Sequence, residues 1–107
     1  MRLCMYVLLA LFVVQACYAR VAGAETTTYY GTDYCGSLTA SGEALDCSAF
    51  TAAHPDYALG TLLEVCHVGC VTVRVTDRGP NLDITPAAAA AIGILDVGRV
   101  DAVTFIH

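Results

Sequence analysis

The ten residues "TDRGPNLDIT", 76–85, concentrate much of what this chain has to do chemistry with. Asp77, Arg78, Gly79 and Pro80 are consecutive, and a second acid, Asp83, follows closely. A carboxylic acid donates a proton to a leaving oxygen and takes one from an incoming hydroxyl, which is the work of general acid–base catalysis. Asp77 comes at the end of the run "VTVRVTD", where Val71, Val73 and Val75 alternate with Thr72, Arg74 and Thr76. That period of two marks a strand with one face buried. A strand that ends in Asp and then turns at Gly-Pro holds its carboxyl at the rim of a groove, not in the core. Arg78 is the difficulty, because a close cation favours the ionised carboxylate whereas a general acid needs its proton. It is expected to point away from Asp77 or to hold a ligand.

Other side chains could assist or could serve structure alone. His54 precedes a proline, and Glu43 lies in a polar, turn-rich stretch. Asp83 either lines the groove or favours the start of the helix that follows it. Tyr29, Tyr30 and Tyr34 offer aromatic faces to a ring-shaped ligand. Because alternate residues of a strand face opposite sides, one of Tyr29 and Tyr30 must face inward. His67 reads as a surface residue of a hairpin turn.

The elements that position these groups can be read from the pattern. "ETTTYYG" reads as a strand ending at Gly31, residues 32–48 as irregular, and "SAFTAA" as the approach to the His54-Pro55 turn. Residues 61–66 and 70–76 form two β-branched runs joined by His67-Val68-Gly69, a hairpin. A short extended piece spans 82–85. The helix that follows has Thr85 as N-cap, Pro86 at its first position, an alanine run and Gly93 at its C-terminal end. "VGRVDAVTFIH" supplies a closing strand. Several short strands and one helix predict a compact β-barrel or α+β domain.

Composition narrows the setting. Met1 and Arg2 followed by the apolar run 3–14 have the shape of an export signal, too short for a membrane-spanning helix. Two exits are legible: Ala22-Gly23-Ala24 before Glu25, which sets the boundaries at 1–24 and 25–107, or a lipobox-like Val14-Gln15-Ala16 that would lipidate Cys17. The second exit would make the protein a membrane-anchored lipoprotein; the first would secrete it. Residues 25–107 hold three arginines, no lysine and all ten acids, a net charge of −7. Such a surface repels phosphate backbones, so nucleic acid is not an expected partner. Cys35, Cys47, Cys66 and Cys70 in an exported chain of this size read as two disulfides. Of the three possible pairings, Cys35–Cys47 with Cys66–Cys70 is favoured, because "VCHVGC" is a tight hairpin whose ends can meet. The alternative is a zinc site using these thiolates with His54 or His67. No metal or other cofactor is expected, and a monomer is.

Three segments, "TASGEALDCSAFTAAHPDYALGTLLEV", "VTVRVTDRGP" and "LDITPAAAAAIGI", resemble in their order the septal ring lytic transglycosylases of the rare lipoprotein A type. The resemblance covers nearly all of residues 25–107. It implies an all-β fold, a six-stranded double-psi β-barrel with one short helix, shared with expansins and barwin-like proteins. The implied activity is cleavage of the β-1,4 bond between N-acetylmuramic acid and N-acetylglucosamine in peptidoglycan, leaving a 1,6-anhydro end, in the periplasm or cell envelope. On matching positions Asp77 becomes the general acid/base, with His54 to orient it and Glu43 to contact the sugar. Asp83, Arg78 and Tyr30 become groove residues for the glycan. The stretch between Pro80 and Asp83 is shorter than the family's usual loop. A non-catalytic, expansin-like or barwin-like carbohydrate binder is the alternative, and a secreted inhibitor or effector is a third.

Overall fold

The computed structural model describes residues 21–107. The leader run and Cys17 lie outside the described residues. Six strands, β1 (Val21–Tyr29), β2 (Thr51–Ala53), β3 (Leu62–Cys66), β4 (Cys70–Asp77), β5 (Leu82–Ile84) and β6 (Arg99–Ile106), close a barrel in the order β1-β5-β2-β4-β3-β6. β1–β5 and β2–β4 pair parallel, and the other neighbours antiparallel. This is the expected double-psi barrel. β1 starts ahead of the segment read from sequence, taking in Ala22-Gly23-Ala24, and it stops at Tyr29.

The valine alternation in β4 behaves as expected, with Val71, Val73 and Val75 buried and Thr72 exposed. The barrel centre is filled by Leu63, Val65, Val73, Leu82, Ile84, Ile92 and Ile94, all fully buried. A smaller cluster of Tyr30, Leu45 and Ala53 lies apart from it. β2 is the strand that the pattern did not declare: its three residues are all buried, so no alternation is there to see.

The helix α1 (Pro86–Ile92) forms as read. The Thr85 hydroxyl accepts from the Ala88 N–H, and Gly93 takes a left-handed conformation, φ 80°, that lets its N–H reach back to Ala89 and Ala90. The tip of the β3–β4 hairpin rests on the end of this helix, with the Val68 N–H donating to the Ile92 carbonyl at 3.1 Å. Gly69 makes that approach possible, since a Cβ there would stand 2.5 Å from the Ala91 carbonyl oxygen. Both disulfides have the favoured pairing, with Cα–Cα distances of 5.6 Å for Cys35–Cys47 and 4.1 Å for Cys66–Cys70. Among the described residues no cysteine is free, which leaves no thiolate for the zinc alternative.

Candidate active site

A single irregularity in β4 aims Asp77. Parity alone would turn it into the core with Val71, Val73 and Val75. In the pairing with β2, however, Ala52 is opposite Val75 and Ala53 is opposite Asp77, so Thr76 is an extra residue. A bulge of this kind reverses the side-chain alternation beyond it. Thr76 is therefore buried and Asp77 emerges at the surface, half-exposed.

The same residue of β2 is opposite Asp83 on its other side. Asp83 in turn is in register with Thr28 of β1. Thr28, Asp83, Ala53 and Asp77 thus form one row across four adjacent strands, β1, β5, β2 and β4. Neighbouring strands lie about 4.8 Å apart, which sets the backbones of the two acids roughly 10 Å from each other. Ala53 between them is too small to fill the gap. A cavity of about 610 Å³ opens above this row, lined by all four residues and by Tyr30, Tyr34, Leu38, Arg78 and Gly79 among others.

Three donors converge on Asp77. The backbone N–H groups of Ala40 and Arg78 each donate to Oδ1 at 2.9 Å, and the Tyr30 hydroxyl donates to Oδ2 at 2.9 Å. Burial, reinforced by the Asp77 charge, pushes the Tyr30 phenol well above its ordinary pKa, so this tyrosine stays a donor. Asp83 accepts from the Thr28 hydroxyl at 2.9 Å, and Thr28 accepts from the Asn81 amide at 3.0 Å. Burial raises the Asp83 pKa; the Thr28 hydrogen bond works against that and the Asp77 charge adds to it. Two carboxyls in one cavity, with surroundings that differ, suit roles on opposite sides of a proton transfer.

Arg78 is resolved as the first of its two expectations. Its Nη1 donates to the carbonyls of His54 at 3.0 Å and Tyr57 at 2.6 Å, which turns the guanidinium away from the Asp77 carboxylate. Tyr29 and Tyr30 both border the cavity, Tyr30 donating to Asp77 within it while Tyr29 also packs against the central core. Tyr34 and Leu38, 56% and 78% exposed, stand on the cavity wall as apolar surface of the kind that meets the faces of sugar rings. Their loop is tied down by the Cys35–Cys47 disulfide.

Glu43 and His54 are not among the cavity-lining residues. The Glu43 carboxylate pairs in two-pronged fashion with Arg74, at 3.0 and 3.1 Å, on the exposed surface. Arg74 holds its pKa down. The His54 imidazole is buried, with Nε2 at 2.8 Å from Glu25. Both reach Asp77 through backbone only: the His54 N–H donates to the Asp77 carbonyl, and Thr39–Glu43 is the loop that presents the Ala40 N–H.

Comparison with known proteins fits this arrangement. Residues 22–105 match the family described as "Lytic transglycolase". The chain belongs to this family. Its relatives include a probable endolytic peptidoglycan transglycosylase RlpA of Treponema pallidum, 39% identical over 66% of this chain and 25% of that protein. The endolytic peptidoglycan transglycosylase RlpA of Pseudomonas aeruginosa is 37% identical over 68% of this chain and 24% of its own length. The chain therefore spans about a quarter of the length of these relatives. Among solved structures it is similar to the Streptomyces papain inhibitor, with a TM-score of 0.63 and 26% identity over 78% of this chain and 90% of the other.

Within this lytic transglycolase barrel, sequence reasoning passed over Thr28, Ala53, Asn81 and Glu25. Thr28 is one of three successive threonines, Thr26–Thr28, and nothing in composition singles it out. Ala53 has no chemistry of its own; only the strand order reveals that it separates two acids. Asn81 carried a signal, since a polar residue in so short a connection between two acids has few places to point.

Proposed function

We propose that this barrel cleaves peptidoglycan glycan strands as a lytic transglycosylase, acting on the β-1,4 bond between N-acetylmuramic acid and N-acetylglucosamine and leaving 1,6-anhydro ends. The observation that carries the reading is the row Asp83–Ala53–Asp77, two carboxyls facing one cavity across a single small residue. Its family membership and the activity for which its relatives are named agree with it.

In this reading Asp77 is the general acid/base. Its carboxyl proton passes to the departing O4 of N-acetylglucosamine as the C1–O4 bond breaks. The C6 hydroxyl of the muramic sugar attacks C1, and its proton returns to a carboxylate, so no water is consumed. An intramolecular nucleophile needs only to be held in place. Asp83, whose burial favours the protonated form, serves as the second carboxyl of the cavity. Tyr30 orients Asp77 by its hydrogen bond, and Glu43 assists by anchoring to Arg74 the loop that offers the Ala40 N–H. Tyr34, Leu38 and Arg78 border the glycan. The substrate places the protein on the outer side of the cytoplasmic membrane.

The test is product analysis. The protein and its Asp77→Asn and Asp83→Asn variants are incubated with purified glycan strands, intact and stripped of stem peptides, and 1,6-anhydromuramyl ends are sought by mass spectrometry. Ends formed by the unmodified protein and lost in Asp77→Asn support the reading. Glycan that co-sediments with the protein and is never cleaved assigns the barrel to a non-catalytic binder.

A further inference from the structure

The imidazole of His54 has no nitrogen to spare. Nδ1 accepts from the backbone N–H of Asp56 at 3.1 Å and of Tyr57 at 3.3 Å. A ring nitrogen that accepts carries no proton, so the proton of the neutral ring resides on Nε2. Nε2 then donates to Oε1 of Glu25 at 2.8 Å. The ring is stacked on Tyr57 with centroids 4.2 Å apart, and His54 is 5% exposed. Glu25 Oε2 in turn lies 3.0 Å from the Thr104 hydroxyl, whose proton it shares with the Gly23 carbonyl at 2.9 Å. A histidine engaged in this way does not exchange protons with a ligand in the cavity.

What the ring does hold is a turn. With Nδ1 as the common acceptor, residues 54–57 fold so that the carbonyls of His54 and Tyr57 converge on Nη1 of Arg78. Arg78 is the residue next to Asp77 and lines the cavity. Among the described residues these two carbonyls are the hydrogen-bond acceptors of the Arg78 guanidinium, and they draw it away from the neighbouring carboxylate. A guanidinium beside a carboxyl favours its ionised form and so opposes its service as a proton donor.

We propose that Glu25 and His54 are a pair of positioning residues: Glu25 fixes the His54 ring, the ring holds the 54–57 turn, and the turn keeps the Arg78 guanidinium off the Asp77 carboxylate. The inference rests on the reading of Asp77 as the proton donor. The other ionisable groups facing Asp77 are Tyr30 and Asp83, and those facing His54 are Glu25, Tyr57 and Asp56. None of them lies between Arg78 and the two carbonyls.

The experiment compares His54→Ala, His54→Asn, Glu25→Ala and Glu25→Gln with the unmodified protein by kcat, KM and the pH–rate profile. Side-chain ¹⁵N resonances of Arg78 are followed on the same samples. In His54→Asn the side-chain oxygen can accept the turn's N–H groups as an Asx turn does. In Glu25→Gln the amide oxygen still accepts from Nε2. Both alanine variants are expected to lose roughly tenfold or more in kcat, with KM little changed and the profile moved to lower pH by about 1 unit. His54→Asn and Glu25→Gln are expected to keep activity within about threefold, since the first retains the acceptor for the turn's N–H groups and the second the acceptor for Nε2. Distinct Arg78 Nη resonances, the mark of a guanidinium held in place, are expected in the unmodified protein and the conservative variants and should merge in the alanine variants. If His54→Asn is as inactive as His54→Ala while the Arg78 resonances stay distinct in both, the ring itself does chemistry and the proposal is overturned. Should no variant, nor the unmodified protein, release product, the catalytic reading of the cavity fails. The Arg78 resonances still decide whether the pair positions that side chain.

Discussion

The Tyr30 hydroxyl donates to Oδ2 of Asp77 at 2.9 Å, tying the residue that follows β1 to the last residue of β4. Two strands, β5 and β2, lie between these elements in the barrel. The bond therefore reaches across the row that holds Asp83 and Ala53, and it fixes one carboxylate oxygen while backbone N–H groups fix the other.

Tyr30→Phe keeps the ring and removes this bond. As Asp77 gives up its proton this becomes a hydrogen bond to a charged group, which contributes about 1.5–3 kcal/mol. If it acts in the transition state, its loss lowers kcat roughly ten- to a hundredfold. Release of anhydro ends by Tyr30→Phe, with thermal unfolding measured alongside, checks this. A loss confined to KM would make Tyr30 a ligand contact, not a support for Asp77.

Asp83 gives a pH signature in stability. Burial raises its pKa, so the folded protein binds this proton more tightly than the unfolded chain does. Stability then falls as pH rises from the ordinary carboxyl range through the folded value, and the penalty is absent below it. Asp83→Asn carries no charge at any pH and keeps an acceptor for Thr28. It is expected to melt higher than the unmodified protein at pH 7 and level with it near pH 3. A gain of about 1 kcal/mol would move Tm by roughly 4–8 °C in a domain of this size. Equal melting at both values would mean that the Thr28 bond already offsets the burial.

Local rules made much of the barrel legible, and non-local pairing made the rest invisible. The β3–β4 hairpin, the helix with Thr85 and Gly93 at its ends, and the Cys66–Cys70 clamp depend on residues close in sequence, and each formed as read. β2 did not show, because three buried residues have no polar side to alternate with. Asp77 was placed at a groove rim by its Gly-Pro turn, but the device that puts it there is the bulge at Thr76, which exists only in the pairing with β2. Thr28 and Asp83 are 55 residues apart in the chain and become neighbours through a parallel pairing that no local pattern encodes. His54 and Glu43 stood out in the sequence as candidates to assist Asp77. That they reach Asp77 through the backbone of a turn and a loop is a property of hydrogen-bond partners, which sequence does not list.

The Cys35–Cys47 disulfide should matter to activity beyond its stability. Its sequence separation of 12 corresponds to about 3 kcal/mol of chain entropy, against about 2 kcal/mol for the separation of 4 in Cys66–Cys70. The loop it closes carries Leu38 and Ala40 and begins next to Tyr34, hence part of the cavity wall and one donor to Asp77. The double variant Cys35→Ser/Cys47→Ser is expected to lose activity severalfold at a temperature where it remains folded. Cys66→Ser/Cys70→Ser, at the far hairpin tip against the helix, should lower Tm and leave kcat near that of the unmodified protein. Rates and melting curves of the two variants side by side separate the wall from the scaffold.

Ala53 sets the space between the two acids. It is 2% exposed, and its Cβ stands 3.3 Å from where a Cβ on Gly79 would be, so the turn after Asp77 is already packed against it. Ala53→Leu would send its added atoms along the face that Asp77 and Asp83 share, since the three stand opposite one another in a single row. Overpacking of this kind costs about 1–3 kcal/mol, which a closed barrel braced by two disulfides should survive. The cavity floor would then rise between the carboxyls, and a sugar could no longer contact both. Expected are a folded protein by circular dichroism, a lower Tm, and loss of both glycan binding and anhydro-end formation. Ala53→Ser, nearly the size of alanine, should retain most of each. If Ala53→Leu binds glycan normally and fails only in cleavage, the gap between the acids serves the reacting bond alone, and the glycan is held by Tyr34, Leu38 and the outer wall.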